Sequence, residues 1–187
     1  MIITLSEYTS EWQSRFESEK TSLLSAIGTH HRIVHIGSTA VQGLCAKPVI
    51  DILVGVSNLS QGDTLIPLIE QLGYVYRSDY EAHVSERRYF EKVVENQHQV
   101  HIHLVETYSP FWKRHLFFRN MLRFFPDIRD RYAQLKQQLA SQDWDDLNHY
   151  AAAKSAFIRE IEDRQSAFQW ETERLIIKPP TWNDLDA

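Results

Sequence analysis

The chain has 187 residues, of which 43% are hydrophobic, and it carries a formal net charge of −5. That apolar content is ordinary for a globular domain and excludes a disordered chain. The negative charge disfavours nucleic acid as a partner, because nucleic-acid binders usually show a basic excess. The single cysteine, Cys45, excludes an internal disulfide and is expected to be a small packing residue. With neither a signal peptide nor about 20 consecutive apolar residues, we expect a cytoplasmic protein without a membrane partner.

Hydrophobic spacing predicts the elements of the first part of the chain. Apolar residues three and four apart predict a first helix that begins at the capping residue Ser10 and ends at Gly28. A second helix is predicted to open at Gly62 and to end at Gly73. Apolar and β-branched runs predict strands over residues 32–36, 49–56, 74–77, 88–94 and 100–105.

After Pro110 the pattern becomes helical. It predicts helices over residues 111–125, 127–140 and 147–165, the first of them ending before Pro126. Strands in the first 105 residues and helices afterwards indicate an α+β fold, with a helical C-terminal portion built on a small sheet.

The most informative stretch runs from His35 to Val54. It places a small-residue turn between two apolar strands, and the second strand carries one acid, Asp51. A turn such as Gly37-Ser38 can offer backbone N–H groups and a hydroxyl to a phosphate, and a carboxylate beside it can hold a metal ion. We therefore expect Gly37, Ser38 and Thr39 to contact phosphate, with Lys47 either reaching the same phosphate or pairing with Asp51.

This stretch reads H-I-G-S-T-A-V-Q-G-L-C-A-K-P-V-I-D-I-L-V and resembles the signature of the GrpB family, the glutamate-rich protein B group. Gln42 stands where that family usually has proline. The resemblance continues through Arg88-Tyr89-Phe90 and His101-Ile102-His103 and covers roughly residues 5–165. It implies a nucleotidyltransferase-like fold of the polymerase β type, with a mixed sheet, over a domain of residues 1–168.

The resemblance also implies a catalytic role for Asp51, with Mg²⁺ or Mn²⁺ as the metal. Related enzymes carry two acids at alternate positions of this strand, so that both face the same side. Here Val49 and Leu53 stand two residues before and after Asp51, so the pattern of two acids is broken. The alternative is a buried acid that is satisfied by Ser38, Thr39 or Lys47.

Two histidines alternate on a predicted strand and share one face. His101 and His103 are expected to act with Asp51 either as ligands of Mn²⁺ or Zn²⁺ or in contact with substrate, with His103 as a general base. The alternative is one core histidine and one exposed histidine.

Further cations are candidates for an anionic substrate. Arg88 is expected to contact it; Lys92 shares its face, and Arg87 points the other way. Lys136 and Lys154 each lie four residues after a tyrosine on a predicted helix, where related enzymes hold a triphosphate. The alternatives are a solvated strand for Arg88 and tyrosine–lysine packing on the helices.

The last residues, Glu171 to Ala187, resemble the opening strand and helix start of a GNAT-family acetyltransferase, with Lys178 in place of the usual arginine. The resemblance implies that residues 169–187 are a linker and the truncated start of such a domain, so that a fused acetyltransferase is an expected partner. The alternative is a C-terminal strand that matches by chance.

Three functions stay open from the sequence. The first is a nucleotidyltransferase-like enzyme that handles a nucleotide or a phosphorylated small molecule. The second is a catalytically degenerate binding module fused to an acetyltransferase, which the missing acid favours. The third is a metal-dependent phosphohydrolase that uses the histidines with Asp51.

Overall fold

The computed structural model describes residues 3–145 and 147–164. They divide into two compact units. The sheet unit is Ser6–Leu116, and the helical unit combines the described residues of Met1–Leu5 with those of Phe117–Ala187. The predicted boundary at residue 168 and the acetyltransferase-like tail lie outside the described residues.

In the described residues all five strands lie before residue 107 and only helices follow them, which confirms the predicted α+β fold. The strands are β1 (Arg32–Ile36), β2 (Ile50–Val56), β3 (Val75–Tyr76), β4 (Arg87–Val94) and β5 (Gln97–Glu106). The α-helices of the described residues are α1 (Glu11–Ile27), α2 (Leu59–Glu70), α3 (Pro110–Phe124), α4 (Pro126–Ala140), α5 (Leu147–Ala153) and α6 (Ser155–Glu162).

The five strands form one mixed sheet in the order β1-β2-β5-β4-β3. The central pair, β2 and β5, is parallel, and the other neighbours are antiparallel. β2 is not an edge strand and is buried along nearly its whole length, as its apolar sequence predicts.

The helix-covered face of the sheet carries the main hydrophobic core. Alternate residues of β2 and β5 point to it, and they pack against apolar residues of α1 and α2. The buried members of this core include Trp12, Phe16, Leu23, Ile27, Ile50, Ile52, Val54, Leu65, Ile69, Phe90, Ile102 and Leu104. Residues of the opposite parity therefore lie on the other side of the sheet.

The hairpin of β4 and β5 contains two irregularities. Its turn consists of Glu95 and Asn96, which both have positive φ angles, 50° and 61°, as a tight type I′ hairpin requires. Further along, Lys92 pairs with Val100 but Val93 pairs with His98, so Gln99 is an extra residue on β5. Such a bulge shifts the alternation of side chains along the strand.

Two predicted helices differ from the observed ones. Helix α2 begins at Leu59 rather than at Gly62, because the Asn58 side chain accepts a hydrogen bond from Gln61 N at 2.8 Å and caps it. The single helix expected over residues 147–165 is wrong: α5 and α6 are separated at Lys154. There the backbone N–H of Lys154 bonds to Ala151 O, a tighter spacing that interrupts the α-helical ladder.

The helical unit has a small core of its own. Ile3 from the N-terminal segment packs there with Leu139 and Tyr150. Among the described residues, none of the helices has the length and hydrophobicity that crossing a membrane requires.

Candidate functional site

The side of the sheet opposite α1 and α2 is a polar face. The register places Asp51 beside His101 and His101 beside Glu91. Two residues further along β5, His103 pairs with Tyr89. We define the polar face by the residues Asp51, Arg87, Tyr89, Glu91, His101 and His103.

Gly37 lies directly against the carboxylate of Asp51. It follows β1 with a φ of +71°, and the 3₁₀ turn Ser38–Ala40 begins at the next residue. A Cβ atom at Gly37 would lie 3.0 Å from both Cβ and Cγ of Asp51, and closer still to Oδ2. The predicted meeting of the glycine turn with the strand acid therefore occurs in the structure.

Asp51 and His101 form a hydrogen-bonded pair. His101 Nδ1 lies 3.2 Å from Asp51 Oδ1, and the two side chains are 23% and 29% exposed, so a ligand can reach them. Burial alone raises the pKa of Asp51, but the His101 hydrogen bond and the nearby imidazoles outweigh it, and the pKa falls below 3.8. The carboxylate is consequently ionised at neutral pH.

His98 extends this pair across the sheet. Its Nδ1 lies 3.2 Å from His101 Nε2 and 3.5 Å from Glu91 Oε2. Glu91 Oε1 accepts in turn from Arg77 Nη1 at 2.5 Å. Burial lowers the pKa of His98, so a neutral ring at this position can donate its Nδ1 proton. Sequence reasoning missed His98 because strict alternation places it opposite His101, and only the Gln99 bulge brings the two together.

Arg87 and His103 form a second pair on the polar face. Arg87 Nη1 donates to His103 Nδ1 at 3.1 Å, and its guanidinium lies 4.7 Å from the centroid of the Tyr89 ring. Burial lowers the pKa of His103 well below its usual value, with a further lowering by His115. His103 is thus neutral, accepts through Nδ1 and carries its proton on Nε2.

His115 of α3 stands beside this pair. Its ring centroid is 5.9 Å from that of His103, and its Nδ1 donates to Phe111 O at 2.8 Å. Burial lowers the pKa of His115 to about 4, so the ring is neutral above that pH and Nε2 is a hydrogen-bond acceptor. The spacing of strand residues gave no signal for His115, which reaches the site from a helix.

Lys47 supplies positive charge near Asp51. Burial lowers the pKa of Lys47, and the attraction of Asp51 partly reverses that shift. The lysine is therefore close enough to Asp51 for a direct electrostatic interaction, as its position before Pro48 suggested.

Arg88 does not lie on the polar face, although the sequence favoured it as a substrate contact. It pairs with Asp63 of α2 at 2.6 Å and with Glu81 at 3.2 Å, and Lys92 of the same parity pairs with Glu19 of α1 at 2.9 Å. Phe90 was the available signal: it shares their parity and is fully buried in the core. Arg87 is the arginine on the polar face.

Thr39 is likewise drawn away from the expected phosphate site. Its hydroxyl donates to Val49 O at 3.1 Å and lies 3.0 Å from His35 Nε2. His35 pairs with Ile52 and stacks on Phe16 of α1, with 4.7 Å between the ring centroids. Both side chains therefore belong to the helix-covered side.

Lys136 and Lys154 belong to the helical unit. Lys136 Nζ lies 5.1 Å from the Tyr132 ring centroid, and Lys154 Nζ lies 4.5 Å from that of Tyr150. These contacts are the tyrosine–lysine packing that the sequence left open as the alternative to phosphate binding.

The residues of the polar face do not fit a divalent metal. Within the described ranges, no group of three His, Cys, Asp or Glu side chains is arranged to hold a metal ion. Both ring nitrogens of His101 face hydrogen-bond partners, and His103 Nδ1 faces the positively charged Arg87. The metal expected at Asp51, His101 and His103 stays a prediction of the sequence.

Comparison with known proteins shows relatives along nearly the whole described length. The chain is 36% identical over 168 residues to a UPF0157 protein of Halalkalibacterium halodurans, which covers 88% of this chain and 83% of that protein. It is 33% identical to the glutamate-rich protein GrpB of Alkalihalophilus pseudofirmus, with 85% and 93% covered. Against the UPF0157 protein YqkA of Bacillus subtilis the identity is 35%, and the match spans 48% of that longer protein.

A solved structure agrees with these matches. The crystal structure of the conserved protein GrpB from Enterococcus faecalis superposes with a TM-score of 0.77 at 36% identity, covering 89% of this chain and 99% of that one. Residues 2–164 match the family described as GrpB protein. The chain therefore belongs to the GrpB family.

Proposed function

We propose that this chain binds a nucleotide or another phosphorylated small molecule on the polar face of the sheet unit, beside Asp51. The observation that carries the proposal is the placing of an ionised, partly exposed carboxylate against the backbone of Gly37, with His101 holding it at 3.2 Å. A carboxylate fixed in this way can serve in acid–base chemistry on a ligand held at the turn.

The charges of the polar face favour an anionic ligand. Asp51 is negative, whereas Lys47 and Arg87 are positive, and Glu91 shares Arg77 with Asp79. Since His103 and His115 are neutral and no described acid pairs with Arg87, the positive charge of Arg87 is available where a phosphoryl group would bind.

Nucleotidyl transfer is the reaction we propose for this site. A hydroxyl of the acceptor attacks the α-phosphorus, a new P–O bond forms and pyrophosphate leaves, while Asp51 takes the hydroxyl proton. The His101 hydrogen bond orients Asp51 for this step. Support comes from the mixed sheet and from the Gly37-Ser38 turn between β1 and the acid-bearing strand β2, an order that resembles nucleotidyltransferases.

Thermal unfolding with a panel of ribonucleoside triphosphates tests ligand binding. A ligand at about 100 times its Kd should stabilise the protein by about 2.7 kcal/mol. We expect this shift without added Mg²⁺ or Mn²⁺, in the wild type and in the control Asp63→Asn on the opposite side of the sheet. No shift with any triphosphate would contradict the nucleotide assignment.

Asp51→Asn tests the reaction. If Asp51 accepts a proton, the variant keeps the thermal shift and loses pyrophosphate release, measured with a small-molecule extract as the source of acceptors. A shift that needs a divalent metal and disappears in Asp51→Asn would instead support the sequence-based prediction of a metal at this acid.

A second candidate is a catalytically degenerate phosphate-binding module. The observation that favours it is the residue two positions after Asp51: Leu53 is fully buried and apolar, so this strand position carries no second carboxylate. This candidate predicts binding without pyrophosphate release in the wild type as well as in Asp51→Asn.

A further inference from the structure

Arg87 has hydrogen-bond donors for which the described part of the chain supplies no acceptor. Its Nη1 donates to His103 Nδ1, but its Nε is buried and has no partner. Buried donors in native structures are nearly always paired, so an orphaned donor marks a place where something else supplies the acceptor.

Two nearby arginines show which group binds the Nε and Nη2 atoms of a guanidinium in this protein. Arg77 uses Nε and Nη2 together to hold the Asp79 carboxylate, at 3.0 and 2.9 Å. Arg88 holds Asp63 through the same two atoms, at 2.6 and 3.4 Å. This edge of a guanidinium matches two oxygens of one carboxylate or phosphate. In Arg87 the same edge makes no hydrogen bond to any described residue.

The surroundings of Arg87 are those of an anion site rather than of an internal ion pair. The guanidinium lies over Tyr89 and 5.9 Å from the Phe111 ring centroid. Burial is the main cause that lowers the pKa of Arg87, so its charge is poorly solvated. An anion bound there would compensate that loss of solvation.

We propose that the Nε–Nη2 edge of Arg87, beside His103, binds a phosphoryl group of the ligand as an anchor distinct from the group that reacts at Asp51. The class of ligand rests on the proposed function. His101 and His103 are two residues apart on β5, which separates the two positions by about 7 Å. The ligand is therefore a molecule with two functional positions, such as a nucleoside triphosphate whose terminal phosphoryl group binds Arg87.

The tautomers around Arg87 define how this anchor is completed. His103 accepts from Arg87 through Nδ1, so its Nε2–H is a further donor for the phosphoryl oxygens. His115 donates Nδ1–H to Phe111, so its Nε2 can accept from a hydroxyl next to the phosphoryl group. Because Arg87 Nε is covered, an approaching phosphoryl group meets Nη2 before Nε.

Calorimetric titration with inorganic phosphate tests the anchor without any assumption about the reaction. Arg87→Lys keeps the positive charge but loses the two-pronged edge, and we expect its phosphate affinity to fall by about tenfold or more. The matched control is Arg88→Lys, the adjacent residue on the other side of the sheet, whose affinity should equal that of the wild type. Equal phosphate binding in Arg87→Lys and the wild type would overturn the proposal.

A second measurement uses the wild-type protein and does not depend on folding of the variant. The Nε–H resonance of Arg87 in a ¹H–¹⁵N NMR spectrum should shift as inorganic phosphate is added, while that of Arg88 stays in place. A phosphate titration that leaves the Arg87 resonance unmoved would overturn the proposal. A titration with acetate at the same ionic strength tests whether the site prefers a carboxylate. Tighter binding of acetate than of phosphate would overturn the phosphoryl assignment.

The two proposals fail separately. Phosphate binding that depends on Arg87, combined with no thermal shift for any triphosphate, would keep the anchor and reject the nucleotide. Triphosphate binding that is insensitive to Arg87→Lys would keep the proposed function and reject the anchor.

Discussion

The carboxylate of Asp51 occupies the space into which any side chain at Gly37 would project. Gly37 also has a φ of +71°, a conformation that residues with a Cβ adopt at a cost of about 1 kcal/mol or more. We therefore expect Gly37→Ala to lower the free energy of unfolding by about 1–3 kcal/mol more than a glycine replacement that meets strain alone. Urea denaturation measures the difference.

Gly73 is the matched control for Gly37. Its φ is +84°, but a Cβ atom there would meet nothing within 4 Å. Gly73→Ala should therefore show the cost of strain without the contact with Asp51. Equal losses of stability in the two variants would mean that the Asp51 carboxylate moves away from a methyl group at Gly37 without a cost in stability.

Asp51 should make the protein more sensitive to acid. Its folded-state pKa lies below its unfolded-state value, so the unfolded chain takes up the proton first as the pH falls. The stability that Asp51 contributes is complete above the unfolded-state pKa of about 3.9 and is lost as the pH falls through the folded-state pKa. Asp51→Asn should therefore lose less stability than the wild type below about pH 4, as measured by urea midpoints along a pH series. A parallel loss in both proteins would contradict the lowered pKa.

His115 should make the stability depend on pH over a higher range than Asp51 does. The protonated form of His115 is positively charged, whereas the deprotonated form of Asp51 is negatively charged. Its pKa falls from 6.5 in the unfolded chain to about 4 in the folded one, so protonation favours unfolding between these two values. Stability should decline as the pH drops from 6.5 towards 4, and His115→Gln should flatten that decline. The C2 proton of the His115 ring should titrate with a midpoint near 4 in NMR spectra. A midpoint near 6.5 would show that the ring is solvated rather than buried beside His103.

The starts of α1 and α2 should respond unequally to loss of the side chain at the capping position. Asn58 caps α2 through a 2.8 Å hydrogen bond, whereas Ser10 at the start of α1 makes no capping hydrogen bond with its side chain. Asn58→Ala should cost about 1 kcal/mol of stability, and Ser10→Ala should cost only a few tenths. Thermal denaturation of both variants measures the contrast, and a larger loss for Ser10→Ala would contradict these capping roles.

Local patterns predicted most of the sheet unit correctly. The spacing of Trp12 and Phe16 predicts α1, and Gly28 ends it with a φ of +103°. The enclosed strand around Asp51 and the small-residue turn at Gly37 are predicted by the alternation and composition of the residues themselves. These features depend on a few neighbouring residues, so the sequence alone carries enough information.

Other features depend on which side of a strand is covered, which no short stretch reveals. Arg87 and Arg88 are chemically equivalent neighbours, and only the packing of α1 and α2 decides that Arg88 pairs with Asp63 while Arg87 faces His103. The apolar Phe90 indicates which side of β4 is covered. The sequence does not show that Arg88 and Lys92 lie on that same side, because their acidic partners are on the helices α2 and α1. His115 illustrates a second limit, because its contact with His103 joins a helix to a strand.

The bulge at Gln99 makes the relative lengths of β4 and β5 a determinant of chemistry. Inserting one residue between Lys92 and Val93 of β4 would give Gln99 a partner, restore strict alternation near the hairpin tip and turn His98 to the covered side. His101 would then lose its partner at Nε2, while Arg87, Tyr89 and His103, which lie beyond the bulge, would keep their register. A single-residue insertion in β4 would therefore separate the hydrogen bonding around Asp51 and His101 from the proposed anion site at Arg87, so relatives that differ in length at this point need not share the same chemistry.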